Sequence, residues 1–270
     1  MDQLRDHYEI ERELAGRLRS ASREERRTLY TSLYDELCRR VPLHPQLTRK
    51  SSPRETAQAV RSQMGFLGRF LNQRDITFLE VGPGDCALSL EVARSAKQVY
   101  AVDVSSEIVK GFTSPPNFRL VISDGSRVPV PPVSVDVAYS NQLMEHLHPD
   151  DAWEQLNNIY RAIVPGGIYV CMTPNRLNGP HDVSRYFDEV ATGFHLKEYT
   201  VSELRDLFLQ VGFTKVTSYA GAKGIYIGLP AFLFVLYEAI LGKLPHKLRQ
   251  AIVGVPPFGL LLGIRLVGRK

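Results

Sequence analysis

The sequence has few of the residues that build covalent or metal-linked frameworks. Its 270 residues include three cysteines, Cys38, Cys86 and Cys171, which are scattered along the chain. Disulfide scaffolds and structural zinc sites use cysteines at short, regular spacings, so neither is indicated. Internal repeats and low-complexity segments are also lacking. The composition is that of an ordinary globular chain with one large domain and appendages.

Strong charge and long apolar segments are absent as well. The formal net charge of +4 is too small to indicate nucleic-acid binding, and no nucleic-acid partner is expected. The first residues, MDQLRDHYEIERELA, are charged and have no apolar core. We therefore expect no secretory signal, and a reducing cytoplasm is the expected location.

Residues Ile76 to Ala87, ITFLEVGPGDCA, are the stretch around which the chain is organised. Ile76 to Val81 consists almost entirely of β-formers and predicts a buried strand of a parallel sheet. The Gly82-Pro83-Gly84 turn leads into a helix, and its backbone can approach a ligand closely. Glu80, two residues before this turn, would repel a pyrophosphate and favour a cationic ligand.

Strands and helices alternate from Ile76 onward, which indicates a doubly wound α/β sheet. The first five strands are predicted at 76–81, 98–102, 118–122, 135–139 and 168–173. Polar or acidic side chains follow directly after the first four of them. Ligands of open α/β sheets bind at the carboxyl ends of the strands, so this edge is the predicted binding site.

Residues 1–75 are predicted to be a helical cap or lid over this core. Leucines interleaved with charged residues predict helix over residues 1–40. A second helix is expected to begin with Ser52 as N-cap and Pro53 at its first position, and to run to about Leu71.

Five segments together resemble the successive motifs of class I S-adenosylmethionine-dependent methyltransferases, and specifically the type 11 methyltransferase-domain family. They read ITFLEVGPGDC, VYAVDVS, VISDG, DVAYSNQLMEHL and YRAIVPGGIYVCMTPN. The resemblance covers roughly residues 76–216. It implies an enzyme with a seven-stranded, Rossmann-like methyltransferase sheet and S-adenosyl-L-methionine as its cofactor.

The resemblance also implies which residues hold the cofactor: Glu80, Gly82, Pro83, Gly84, Asp103, Val104, Asp124, Gly125 and Asn141. Glu80 and the glycine turn would hold the methionine part, with Asn141 lining the same side. Asp103 would accept hydrogen bonds from the two ribose hydroxyls, and Asp124 from the adenine amine. The chain departs from the family at Cys86, where a third glycine is usual; we expect the helix to have started there and the small side chain to fit.

Two other functions are compatible with parts of this pattern. Gly82-x-Gly84-x-x-Ala87, with Asp103 lying 19 residues after Gly84, also satisfies the dinucleotide fingerprint of an NAD-dependent oxidoreductase. A non-catalytic protein that kept the cofactor-binding fold is the third alternative. Glu80 and the acids that follow the later strands favour a sulfonium ligand over a dinucleotide.

Methyl transfer by in-line displacement depends mainly on positioning, and an oxygen acceptor also needs a base. Oxygen is the expected target, and His146, His181 and His195 are the candidate bases. His146-x-His148 with the acids at 150 and 151 is a possible metal pattern, but it sits at a helix start and no metal is expected. The long segment 175–200 mixes rings and charges. It suits a small-molecule, glycan or lipid-linked acceptor, or is a packed lid.

The chain after residue 200 completes the predicted sheet and includes, at 225–262, its least typical part. Helix is predicted over 200–210, with Thr200 and Glu203 as a capping box, and strand six over 213–219. Two stretches could supply the seventh strand, 223–229 and 263–270, and the second is preferred. Residues 76–224 and 263–270 would then form the core, and 225–262 a helical, apolar insertion.

This insertion is uncharged from Gly224 to Tyr237, a run of 14 residues, which is shorter than the about 20 that a spanning helix needs. Six basic residues and no acids occupy positions 241–270. The segment could therefore lie on an anionic membrane surface, at the inner face, or be a buried helix or homodimer contact.

Overall fold

The computed structural model describes residues 2–41, 52–72, 75–105, 114–256 and 258–270. Its centre is an eight-stranded sheet with the order β3-β2-β1-β4-β5-β8-β6-β7. The strands are β1 Thr77–Val81, β2 Gln98–Asp103, β3 Phe118–Ile122, β4 Val135–Asn141, β5 Ile163–Thr173, β6 Lys215–Ala222, β7 Ile225–Pro230 and β8 Ile264–Arg269. Strands β1 to β5 run parallel, and β8 is antiparallel to both β5 and β6. The predicted Rossmann-like methyltransferase sheet is thereby confirmed.

The helices of the described residues are α1 Asp2–Ser20, α2 Arg23–Arg40, α3 Pro53–Leu67, α4 Ala87–Ala93, α5 Pro149–Ala162, α6 Val201–Val211, α7 Ala231–Gly242 and α8 His246–Val253. The caps predicted at Ser52 and Thr200 are confirmed, because each side chain accepts from the N–H three residues later and the glutamate there bonds back. None of these helices is both long and apolar enough to cross a bilayer.

The strand count differs from the predicted seven, because both candidate stretches form strands. The preferred one is β8, between β5 and β6, and the other is β7, on the edge beyond β6. Lys223 and Gly224 have φ angles of 53° and 86°, which suits the tight two-residue turn of a hairpin. Residues 225–230 are consequently strand and not the helix that we predicted; helix begins at Ala231.

The sheet is covered on both faces. One apolar cluster joins the sheet to leucines of α1, α2, α5 and α6, and the other joins it to α3 and α4. Of the predicted cap, Met1 and residues 42–51 and 73–74 lie outside the described residues. The helices on either side pack directly on the core, and their role as a lid stays a prediction.

A buried ion pair fixes α2 to the start of α5. The Arg26 guanidinium donates to both carboxylate oxygens of Asp151, at 2.6 and 2.9 Å. The Tyr30 hydroxyl donates to the same carboxylate at 2.7 Å and accepts from the backbone N–H of His148 at 2.9 Å. Arg26, Tyr30 and Asp151 are all buried. These bonds hold Tyr30 at the carboxyl edge of the sheet.

Candidate functional site

The turn after β1 brings the backbone close to the space at the carboxyl edge of the sheet. Gly82 and Gly84 have φ angles of +70° and +57°. A Cβ at Gly82 would lie 3.0 Å from a methyl carbon of Leu143, so the turn needs glycine there. Cys86 also has a positive φ, 58°, and is the N-cap of α4, which begins at Ala87. The helix therefore starts one residue later than predicted, and Cys86 occupies a backbone conformation that favours glycine.

Glu80 is a buried acid without a basic partner in the contacts of the described residues. Its carboxylate accepts from the Ser89 hydroxyl at 2.5 Å, and its side chain is 4 % exposed. Burial raises the pKa of Glu80 to about 8, and the nearby carboxylates of Asp85 and Asp103 act in the same direction. A cation bound beside Glu80 would favour its ionised form.

Asp103 ends β2 and is half-buried. Burial raises its pKa, and the backbone N–H groups of Val104 and Ser105 oppose that shift, the second at 3.1 Å from Oδ1. A half-buried carboxylate with acceptor capacity to spare can receive two hydroxyl donors.

Two cavities share Gly82. The first is lined by Tyr30, Val81, Gly82, Val102, Asp103, Val104, Ser123, Gly125, Leu143, His146, Leu147 and Gln155. The second is lined by Thr56, Ala59, Val60, Gln63, Glu80, Gly82, Pro83, Gly84, Asp85, Ala87, Leu88 and Asn141. All but one of the predicted cofactor residues therefore border one of the two cavities. The first would take a nucleoside and the second a short cationic chain.

The exception is Asp124, which lies outside both linings. Its Oδ1 accepts from the backbone N–H groups of Ser126 and Arg127, at 3.1 and 2.9 Å. Its Oδ2 lies 3.4 Å from Nε of Arg27. Burial raises the pKa of Asp124, but these N–H groups and the Arg127 charge outweigh it, so that the pKa is lowered. The adenine contact stays a prediction, while neighbouring Gly125 does line the first cavity.

Sequence reasoning missed the side chains that come to this site from distant helices. The Tyr30 ring would lie 2.8 Å from a Cβ at Gly125. Gln155 donates to the Gly125 carbonyl at 2.6 Å from α5. Nothing in the local pattern around either residue signals such a role, because each reaches the site through tertiary packing.

The three candidate bases have different surroundings. His146 lines the first cavity, and its Nδ1 donates to the Phe194 carbonyl at 3.0 Å. Burial lowers the pKa of His146. The His195 ring packs edge-on against it, with centroids 4.9 Å apart. His181 lies apart from this pair; its Nε2 is 3.0 Å from Asn178 Oδ1 and 3.2 Å from the Asn175 carbonyl.

His195 is buried and bonded to a buried acid. Its Nδ1 donates to Glu198 Oε1 at 2.7 Å. Burial alone would lower the pKa of His195, but the bond to Glu198 and the charges of Glu145 and Asp182 outweigh it and raise the pKa. Of the two packed rings, His195 therefore holds a proton more readily than His146, whose pKa is lowered by burial.

Residues 79–171 match the family model of a methyltransferase domain. A probable S-adenosylmethionine-dependent methyltransferase of Mycobacterium tuberculosis strain H37Rv is 31% identical over 147 residues, which cover 53% of this chain and 50% of the relative. A probable S-adenosylmethionine-dependent methyltransferase of Mycolicibacterium smegmatis is 29% identical over 144 residues, 52% of each chain. The match thus spans about half the length of these curated relatives.

Solved structures share the fold at lower identity. A SAM-dependent methyltransferase from Archaeoglobus fulgidus is 17% identical with a TM-score of 0.51, covering 84% of this chain and 98% of that one. A Haemonchus contortus phosphoethanolamine N-methyltransferase, solved with S-adenosylhomocysteine, is 16% identical with a TM-score of 0.52, covering 77% of this chain and 52% of that one.

Proposed function

We propose that this chain, whose core is a class I S-adenosylmethionine-dependent methyltransferase domain, transfers a methyl group to an oxygen of a small-molecule, glycan or lipid-linked acceptor. The observation that carries the proposal is the placement of two carboxylates, Glu80 and Asp103, in the two cavities that meet at Gly82. A cationic methionine moiety suits the buried acid, and a ribose diol suits the half-buried one.

When bound, S-adenosylmethionine supplies a methyl group on a positively charged sulfur. The residues of the chain then position the cofactor and exclude water. Glu80 balances the positive charge, and Asp103 accepts from the ribose hydroxyls. Tyr30, held by Asp151, closes the first cavity from the side of α2.

His146 is the residue that we assign to the acceptor's proton. Its Nδ1 donates to a carbonyl oxygen, so in the neutral ring the lone pair belongs to Nε2. The lowered pKa keeps this ring neutral at pH 7, as a proton acceptor must be. His181 and His195 remain candidates, but neither borders the first cavity.

The acceptor class rests on the segment from Asn175 to Thr200. The Asp182 carboxylate fixes the conformation of this segment, because it accepts from the backbone N–H groups of Gly193 and His195, at 3.0 and 3.3 Å. The rings of Tyr186 and Phe187 nevertheless stay exposed. Exposed rings on a well-held segment suit a flat or sugar-like acceptor.

Calorimetric titration tests the cofactor assignment. We expect S-adenosylmethionine and S-adenosylhomocysteine to bind the purified chain, and NAD to give no measurable heat. Formation of S-adenosylhomocysteine with any acceptor then separates an enzyme from a non-catalytic cofactor-binding protein. Binding of NAD in place of S-adenosylmethionine would contradict the proposal.

A membrane contact through α7 is the second part of the proposal. Phe232, Leu233, Leu236 and Ile240 of this helix are 64, 42, 58 and 56 % exposed. Exposed Lys243 and Lys247 follow directly. Apolar side chains beside basic ones fit an anionic bilayer surface, where each basic residue contributes about 1 kcal/mol. A surface of this kind would give access to a lipid-linked acceptor.

Flotation with anionic liposomes tests this contact. The intact chain is expected to float at low salt and less at high salt, because the basic residues are screened. The variant with Phe232→Asp and Leu236→Asp should stay at the bottom, whereas Trp153→Asp, an exposed apolar residue of α5, should float normally. An intact chain that never floats, and elutes as a dimer that the double change dissociates, would make α7 a homodimer interface.

A further inference from the structure

Three potential metal ligands lie together behind the first cavity. Glu145 and His146 belong to the short 3-10 turn Met144–His146 after β4, and His195 comes from the segment that follows β5. One ligand atom of each lies within 4.8 Å of the others. His148, which belonged to the metal pattern considered in the sequence analysis, is not part of this group. Its side chain instead caps α5 by accepting from the Asp150 N–H at 3.3 Å.

Glu145 is the member of this group that has a buried oxygen without a hydrogen-bond partner. Its side chain is fully buried. One carboxylate oxygen, Oε2, accepts from the Thr173 hydroxyl at 2.8 Å, which fixes the orientation of the group. The other, Oε1, is buried without a hydrogen-bond partner. Burying a carboxylate oxygen without a hydrogen-bond partner costs free energy, and a ligand bound to this oxygen would offset that cost.

Both histidines are held in the way that metal-binding histidines are held. His146 Nδ1 donates to the Phe194 carbonyl, and His195 Nδ1 donates to the Glu198 carboxylate. A carbonyl or carboxylate on one ring nitrogen orients the imidazole and makes the other nitrogen the better ligand. We therefore assign Nε2 of each ring as the atom that would coordinate the ion.

We propose that Glu145, His146 and His195 bind a divalent transition-metal ion, with an open coordination position toward the first cavity. Imidazole ligands favour Zn²⁺, Fe²⁺, Co²⁺ or Ni²⁺ over Mg²⁺ and Ca²⁺. In a tetrahedral site two ligand atoms at about 2.1 Å from the ion lie about 3.4 Å apart, so side-chain rotations that bring the three atoms closer together would complete the coordination. Three protein ligands with one open position are the pattern of a catalytic site.

This inference rests on the proposed function in one respect, the use of the open position. His146 borders the first cavity together with Gly82 and Asp103. An ion there would bind the acceptor's hydroxyl oxygen and lower its pKa, so that its proton passes to solvent water. The oxygen would then form a bond to the methyl carbon while the bond from that carbon to the sulfur breaks and leaves its electron pair on sulfur. His146 would then act through the metal, and acceptors with an oxygen that can bind a metal would be preferred.

Titration of chelator-treated, full-length protein with Co²⁺ and with Zn²⁺ tests the site directly. We expect one tightly bound ion per chain and, for Co²⁺, the visible absorption of an ion with histidine ligands. Glu145→Gln and His195→Ala should weaken binding by about hundredfold or more, and Glu198→Gln by about 10–100-fold. His148→Ala, in the same region but outside the triad, should bind as the unmodified chain does.

The binding of S-adenosylmethionine, measured by calorimetry on the same samples, separates this inference from the proposed function. Glu145→Gln should lose the metal and retain the cofactor, which also shows that it is folded. A chain that binds S-adenosylmethionine but no Co²⁺ or Zn²⁺ would overturn the metal site alone. Equal metal affinity in all variants would show adventitious binding elsewhere and would overturn it too.

Discussion

Replacing Asp103 by alanine is expected to lower the affinity for S-adenosylmethionine by about tenfold or more, with the fold intact. Asp103 ends β2 with its carboxylate in the lining of the first cavity. Hydrogen bonds to a charged group contribute about 1.5–3 kcal/mol each, and a ribose diol would form two of them. The loss should be similar for S-adenosylhomocysteine, because both molecules carry the same ribose.

Calorimetry on the variant and on Glu91→Ala measures this effect. Glu91 lies on α4 and is exposed, so its removal changes the net charge equally without touching either cavity. Unfolding midpoints of the three proteins should agree closely. Unchanged S-adenosylmethionine affinity in Asp103→Ala would show that the ribose lies elsewhere.

Affinity for S-adenosylmethionine is expected to rise with pH up to about 8, and Glu80→Gln should abolish this dependence. Burial raises the pKa of Glu80 from 4.5 to about 8, so in the free protein the acid is mostly protonated at pH 7. A cation favours the carboxylate, so that binding releases a proton. The limiting slope is about tenfold in affinity per pH unit, since one pKa unit corresponds to about 1.4 kcal/mol.

Titrations in buffers of different ionisation enthalpy count the released protons. The unmodified chain should release close to one at pH 7, and Glu80→Gln fewer. Above pH 8 the substitution should weaken the sulfonium cofactor more than its thioether product. Proton release that persists in Glu80→Gln would assign the titration to another group.

Glu80 also makes the folding stability of the free protein depend on pH, in the direction opposite to that of the cofactor affinity. Because the folded pKa lies above the unfolded value, the folded state holds an extra proton between about pH 4.5 and 8. Stability therefore falls as pH rises through this range. Glu80→Gln should remove that loss, which thermal unfolding without cofactor measures.

Local sequence signals predicted the elements that local chemistry determines. The strand of buried β-formers before Gly82, the caps at Ser52 and Thr200, and the antiparallel strand predicted within 263–270 are all confirmed. The stretch 223–229 was considered as a strand but not preferred, and its hairpin was not predicted, because Lys223 has to adopt a positive φ angle there, which a lysine does not signal.

Contacts between distant residues could not be predicted in the same way. Tyr30 meets Asp151 and Gly125, and Glu145 meets His195, only after several helices have packed on the sheet. The candidate cofactor residues were accessible to sequence reasoning because parallel strands bring their carboxyl ends to one edge. The proposed metal ligands come from a strand end and from a distant loop, and no residue spacing in the sequence indicates that they lie together.

The position of β8 bears on the order in which the protein can fold during synthesis. β8 pairs with β5, Thr173 opposite Ile264, and also with β6, although it follows both in the chain. Until the ribosome has released β8, β5 and β6 each present an unpaired edge, and such edges promote aggregation. Pairings between residues so far apart in sequence also slow folding. The part of the sheet that carries the proposed cofactor site, β1 to β4, has no such dependence, so it can form while β8 is still being made.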